Sequence, residues 1–295
     1  MQHLSSPDIA SERQVLPTTV YSPESSLSHR GELWRAMLKD LRASASLAWR
    51  FAVRDISAQY RQTLLGILWA FLTPLLTTVT WVFLSASGVV QVGETDIPYP
   101  VYVFVGTLLW GVLVESINAP LSQVTAEKST LAKLNFPREA LIVAGIYKAL
   151  FNAAIRVSIV LICLPFLGVT LKLTVILFPL VLLSLILVGT ALGLLVTPIG
   201  ALYSDVGKIL PVLMQFAMYI SPVVFAMPEQ GIARLVFLLN PFSSLLITGR
   251  DLLTGSSQEY VFSFLVVNAL AVPVLLIGWI GYRVAMPIVI ERMSS

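Results

Sequence analysis

Charge is scarce in this chain, so the places where it recurs are the first to read. Arg50, Arg54 and Arg61 lie along a narrow stripe of the stretch Trp49 to Pro74, WRFAVRDISAQYRQTLLGILWAFLTP. At about 100° per residue, Trp49, Ala52, Val53, Ile56, Tyr60 and Leu64 share the neighbouring arc. Asp55, Gln59 and Gln62 fall opposite. A basic stripe beside an apolar arc can hold phosphate or acidic headgroups at a membrane surface. A second set, Glu127, Lys128, Lys133 and Arg138, falls in LSQVTAEKSTLAKLNFPREA, a polar interruption between two apolar runs. Arg156 sits midway along an apolar run. A charge at that depth costs about 2.5–3.5 kcal/mol on insertion scales and is usually turned inward.

Other chemistries are excluded. The single cysteine, Cys163, lies inside an apolar run, so no internal disulfide can form. The two histidines, His3 and His29, lie in a polar N-terminal tail, which leaves no Cys/His metal site in the apolar runs. No GxxxxGK[ST] occurs; Gly207-Lys208 lacks the earlier Gly and the following hydroxyl. The chain therefore has no P-loop for ATP.

The elements that position these charges belong to a membrane. The sequence is 57% hydrophobic and 12% charged, with mean hydropathy +0.85. A soluble domain carries about 25% charged residues. The chain is an all-α polytopic membrane protein. Its net charge of +3 is spread along loops and gives no support to nucleic-acid binding.

Residues 1–30 are rich in Ser, Pro, Thr and Glu and read as a disordered cytoplasmic tail. No cleavable signal peptide is expected there. Residues 31–45 form one short amphipathic helix, and 46–63 a second. Six apolar runs near 66–87, 101–120, 141–167, 173–199, 209–227 and 260–283 are each long enough to span. Residues 284–295 are a short C-terminal tail. A further apolar stretch, within 228–259, is cut at Asn240-Pro241 into pieces too short to cross.

Lysine and arginine set the orientation. With both termini in the cytoplasm and six spans, the inner segments hold Arg13 to Arg61, Lys128, Lys133, Arg138, Lys208, Arg283 and Arg292. The outer segments hold only Lys172, Arg234 and Arg250. A seventh span would move Arg283 and Arg292 outside, so 228–259 reads as an external re-entrant hairpin, buried in protein. Counted from the inner helix ends at 1.5 Å per residue, Glu115 and Lys148 reach similar depths and are expected to pair. Arg156 lies deeper, with no obvious acidic partner.

A family resemblance rests on several short motifs in order. They are Arg54-Asp55-Ile56, Tyr60-Arg61-Gln62-Thr63-Leu64-Leu65-Gly66, Trp69-Ala70 and Pro74 at the first span. Further along come Lys133-Leu134-Asn135-Phe136-Pro137-Arg138, Tyr219-Ile220-Ser221-Pro222 and Leu239-Asn240-Pro241-Phe242. Across residues 46–290 the chain resembles ABC type-2 exporter permeases that move bacterial polysaccharides. It is most like the O-antigen export permeases, with capsule and teichoic-acid exporters as relatives.

The resemblance implies a half-transporter of the bacterial inner membrane. Two copies would form a channel, and two copies of a separate ATPase would power it. The cargo would be a polyprenyl-diphosphate-linked glycan, moved from cytoplasm to periplasm. The chain itself would bind no cofactor; ATP and Mg would sit on the ATPase. The loop at 121–140 would carry a coupling helix docked in an ATPase cleft, with Glu127, Lys128, Lys133 and Arg138 as polar contacts. Asp205, in the second inner loop, would be a minor contact. Arg54 and Arg61 would lie near the lipid headgroup, and Arg156 would attract the diphosphate unless it is a structural pair or bonds to Asn152.

Aromatic rings stack on the apolar faces of sugars. Trp69, Phe71, Trp81, Trp110, Phe216, Tyr219 and Phe225 are therefore candidate channel lining, although rings also mark membrane interfaces. Gly189 and Gly193 form a GxxxG, expected to pack within the protomer. An alternative function is a type-2 exporter permease for a drug or small lipid. A membrane glycosyl- or phosphotransferase would want Asp-x-Asp at the inner face, and an ion-coupled flippase several embedded carboxylates. The spans hold only Glu115.

Overall fold

A computed structural model describes residues 30–61 and 63–294, with side chains for 35–61 and 63–292. The expected disordered tail lies outside the described residues except for Arg30. The chain divides at Lys39 and Asp40 into two units. The first, as described, supplies the opening turns of one helix; the second holds every apolar helix.

All described elements are helical. They are α1 (Arg30–Arg61), α2 (Trp69–Ala86), α3 (Tyr99–Ala126), α4 (Lys128–Lys133), α5 (Glu139–Phe166), α6 (Phe178–Leu202), α7 (Ser204–Tyr219), α8 (Gly231–Leu239), α9 (Pro241–Thr254) and α10 (Val261–Ser294). Short 3-10 turns, Gly66–Leu68 and Leu173–Leu177, lead into α2 and α6. Five segments, built on α2, α3, α5, α6 and α10, are long and apolar enough to cross a membrane. The pair α8 and α9 raises this to six if it counts as one crossing.

Three boundaries differ from expectation; one is the C-terminal end, where α10 runs on to Ser294 through the expected tail at 284–295. Residues 31–61 form one continuous helix, not two, because no Gly or Pro interrupts them after Gly31. The fifth apolar run, expected to span over 209–227, instead gives α7, which starts at Ser204 and stops at Tyr219. Its 16 residues reach about 24 Å, short of a hydrocarbon core of about 30 Å. Pro222 lacks an N–H and disfavours helix at Ser221, so the chain turns there. At Asn240 the chain breaks as the Asn-Pro pair predicts: α8 and α9 meet at 83°.

The core is built on α3, whose apolar window is 72% buried, and α6, at 50%. The windows of α2 and α10 are only 6% and 11% buried, so most of their surface is free for lipid or protein. α3 and α6 approach closely through the GxxxG. A Cβ on Gly189 would lie 2.5 Å from Ser116 Cβ, and one on Gly193 only 2.3 Å from the Ile117 carbonyl oxygen. The motif is thus spent inside the protomer, where small residues let helices pack at close range.

Candidate functional site

The most deeply buried face of α1 is not its bulky apolar arc. Ser44, Ala48 and Ala52 recur every four residues and are fully buried, with Ala48 against Ala140 and Ala144 at the start of α5. Trp49 and Val53 are 60% and 42% exposed. Hydrophobicity finds the face that meets lipid; close helix packing selects small side chains. Asp55, expected on the open side, turns inward and accepts a 2.9 Å hydrogen bond from Gln123 Nε2 of α3.

This placement builds a clamp around the charged loop. Arg54 donates to Glu127, the residue between α3 and α4, and also to Asp55 at 2.8 Å. The bond to Glu127 raises the Arg54 pKa above its ordinary value, against the opposing effect of burial. At the other end of the loop, Glu139 opens α5 and is buried. It accepts a bond from Arg283 of α10, and the same guanidinium donates at 2.7 Å to Asp40 of α1. Tyr282, buried beside it, donates to the Arg138 carbonyl at 3.1 Å. Both ends of the loop are thereby tied to α1.

The loop residues separate accordingly. Glu127 is buried and engaged within the chain, not open for docking. Lys128 and Lys133, at the two ends of α4, are exposed. Arg138 is half-buried. Asp205 is exposed and faces Lys208 at 3.6 Å. Arg61 ends α1, exposed.

A second polar cluster lies deeper. Arg156 Nη1 sits 2.9 Å from Glu115 Oε2, joining α5 to α3. Asn152, one turn before Arg156, also donates to Glu115, and Tyr60 of α1 donates to Asn152 Oδ1 at 3.0 Å. The expected Glu115–Lys148 pair is overturned. Matching Cα depths ignored the direction of the side chain. An arginine on a helix reaches back toward that helix's N-terminus, which here brings it level with Glu115. Its guanidinium passes over Gly111, 3.4 Å from where a Cβ would stand.

The candidate channel aromatics part into three groups. Trp110 is buried and packs edge-on to Phe242, ring centroids 5.7 Å apart; it belongs to the core. Phe71 packs inward on Phe104 at 6.2 Å. Trp69 and Phe216 are exposed, on α2 and α7. Trp81 meets Phe225 at 5.4 Å and Tyr219 at 6.1 Å, which joins the far end of α2 to the turn after α7. Beside them opens a cleft of about 450 Å³ lined by Tyr219, Phe225, Phe237, Gln91, Glu94 and Glu229 among others. Rings beside carboxylates and an amide suit a hydroxyl-rich ligand.

Sequence reasoning missed Asp40, Gln123, Glu139 and Arg283, and it put Asp55 on the wrong side. Two carboxylates at the two ends of one loop were the available signal. Arg250, counted among the outer-loop charges, is buried within α9.

Residues 46–252 match the model of the ABC-2 type transporter family. The chain is 26% identical over 214 residues to the O-antigen export system permease protein RfbA of Myxococcus xanthus, covering 71% of this chain and 81% of that protein. It is 20% identical over 212 residues to the protein of the same name in Klebsiella pneumoniae, covering 70% and 80%. With the match running through most of its length and over the helices just described, this chain is an ABC-2 type transporter membrane protein.

Proposed function

We propose that this chain is the permease subunit of an ATP-driven exporter that moves a polyprenyl-diphosphate-linked, O-antigen-like polysaccharide from the cytoplasmic to the periplasmic side of the inner membrane. The observation that carries this reading is the likeness, over about 70% of the chain, to two O-antigen export permeases. Two copies form the path, and the nearly unburied α2 together with the exposed apolar side of α7 are the surfaces that would enclose it. Phe216, Tyr219, Trp81 and Phe225 supply rings for a passing glycan. A separate ATPase, also in two copies, docks on α4 through Lys128 and Lys133. Both termini face the cytoplasm, with α7 and the turn that follows it together making the sixth crossing, and the α8–α9 pair is an outer re-entrant hairpin.

Deleting the gene tests the substrate. Loss of surface polysaccharide, with finished lipid-linked chains accumulating inside the cell, is the expected result. Normal levels of both pools would remove the glycan and favour a drug or small lipid as cargo. A cysteine replacing the exposed Gln258 tests the topology: it should react with an impermeant reagent from outside, and reaction only from the cytoplasm would overturn the hairpin.

A further inference from the structure

Two of the short motifs in the sequence, Tyr219-Ile220-Ser221-Pro222 and Leu239-Asn240-Pro241-Phe242, meet in space. Asn240 stands at the 83° break and uses both ends of its amide. Its Oδ1 accepts from the Phe242 N–H at 3.0 Å, which caps α9. Its Nδ2 donates to the Ile220 carbonyl at 3.0 Å and to Ser221 Oγ at 2.7 Å. Ten residues on, Arg250 reaches the same turn. Its Nη2 donates to the Pro222 carbonyl at 2.8 Å and to the Tyr102 carbonyl at 3.3 Å. The guanidinium lies 3.5 Å from the Tyr102 ring centroid, and Arg250 is buried with its hydrogen bonds going to backbone carbonyls. A buried cation spent on backbone carbonyls is a costly device, justified by what it holds in place.

What it holds is one wall of the cleft. The turn carries Tyr219 at its start and Phe225 at its end, and both line the cleft and touch Trp81. Tyr102 and Tyr99 of α3 donate to two further carbonyls, those of Phe225 at 3.0 Å and Val224 at 3.2 Å. The turn is thus fixed on one side by α3 and on the other by the bent pair α8–α9.

We propose that Asn240 and Arg250 form a latch, positioning residues that make the cleft wall at Tyr219 and Phe225 follow the α8–α9 pair. The consequence for transport rests on the exporter reading above: displacement of the pair would open or close the aromatic cleft to the glycan.

The decisive variant is Asn240→Asp. It keeps the oxygen that caps α9 and removes the amide that holds the turn. The probe is a maleimide reacting with a cysteine in place of Met227, a cleft-lining residue, in full-length protein in membranes with Cys163→Ser as background. Loss of the two latch bonds should raise the labelling rate about fivefold or more, fivefold being the weight of one net hydrogen bond. Protein level and melting temperature should stay close to the parent, and export should fall. Should the aspartate variant be poorly folded, Asn240→Ser makes the same separation and decides instead. Arg250→Lys, which keeps the charge but loses the planar fork, should give an intermediate rate. An unchanged labelling rate in folded Asn240→Asp would overturn the latch. Faster labelling with normal export would keep the latch and take the cleft off the export route. Labelling needs no substrate, so failure of the latch and failure of the exporter reading stay distinct.

Discussion

The Arg156 guanidinium lies 2.9 Å from the Glu115 carboxylate, each side chain 21% exposed, and joins α3 to α5 at a depth where hydrocarbon is the alternative solvent. Neither charge is tolerable there without the other. Glu115→Leu and Arg156→Leu should therefore each destabilise the protein, toward the lower end of the ~3–5 kcal/mol typical of breaking a buried pair. The double variant Glu115→Leu with Arg156→Leu should recover much of that loss. Thermal unfolding of the four proteins in one detergent measures the coupling. Additive losses would mean that the pair contributes no mutual stabilisation.

Arg54 and Glu127 form the loop-side half of the clamp on α1. Arg54→Glu and Glu127→Arg should each lower the melting temperature and the transport-linked ATPase rate. Combined, they should restore both, with a coupling energy of about 0.5–3 kcal/mol. A double variant as poor as the worse single one would place the effect in the loop backbone and not in the ion pair.

The exposed lysines of α4 should behave differently. Lys128→Glu and Lys133→Glu should leave the melting temperature of the isolated permease unchanged, since neither side chain is buried. They should weaken co-purification of the ATPase. Full recovery of the ATPase with the doubly reversed loop would remove α4 as the docking element.

Trp110 and Phe216 separate core from channel. Trp110→Ala should cost about 3–5 kcal/mol of stability, as large-to-small changes in a core do. Phe216, 67% exposed, should tolerate alanine without loss of folded protein while export slows. Equal melting temperatures for the two variants would contradict the burial of Trp110.

Gly193 allows nothing larger. Alanine there meets the Ile117 carbonyl oxygen and should destabilise the α3–α6 contact by about 1–3 kcal/mol. A dimer that dissociates while the protomer keeps its melting temperature would instead put the motif on the subunit interface.

Composition and run length alone determined the membrane class, the long helices and the break at Asn240, because each depends on local solvent preference or on the chemistry of proline. The short motifs, kept in order, pointed to the family. The partners of the charges were decided only by tertiary structure. Which of Lys148 and Arg156 meets Glu115 depends on how α3 and α5 are rotated and on which way a long side chain leans. The inner face of α1 was hidden for a related reason: besides Ala52 it consists of Ser44, Ala48 and Asp55, small or polar groups that a search for apolar periodicity passes over. Packing in a membrane rewards close approach and satisfied polar groups more than hydrophobicity, and these emerge only when the helices are side by side.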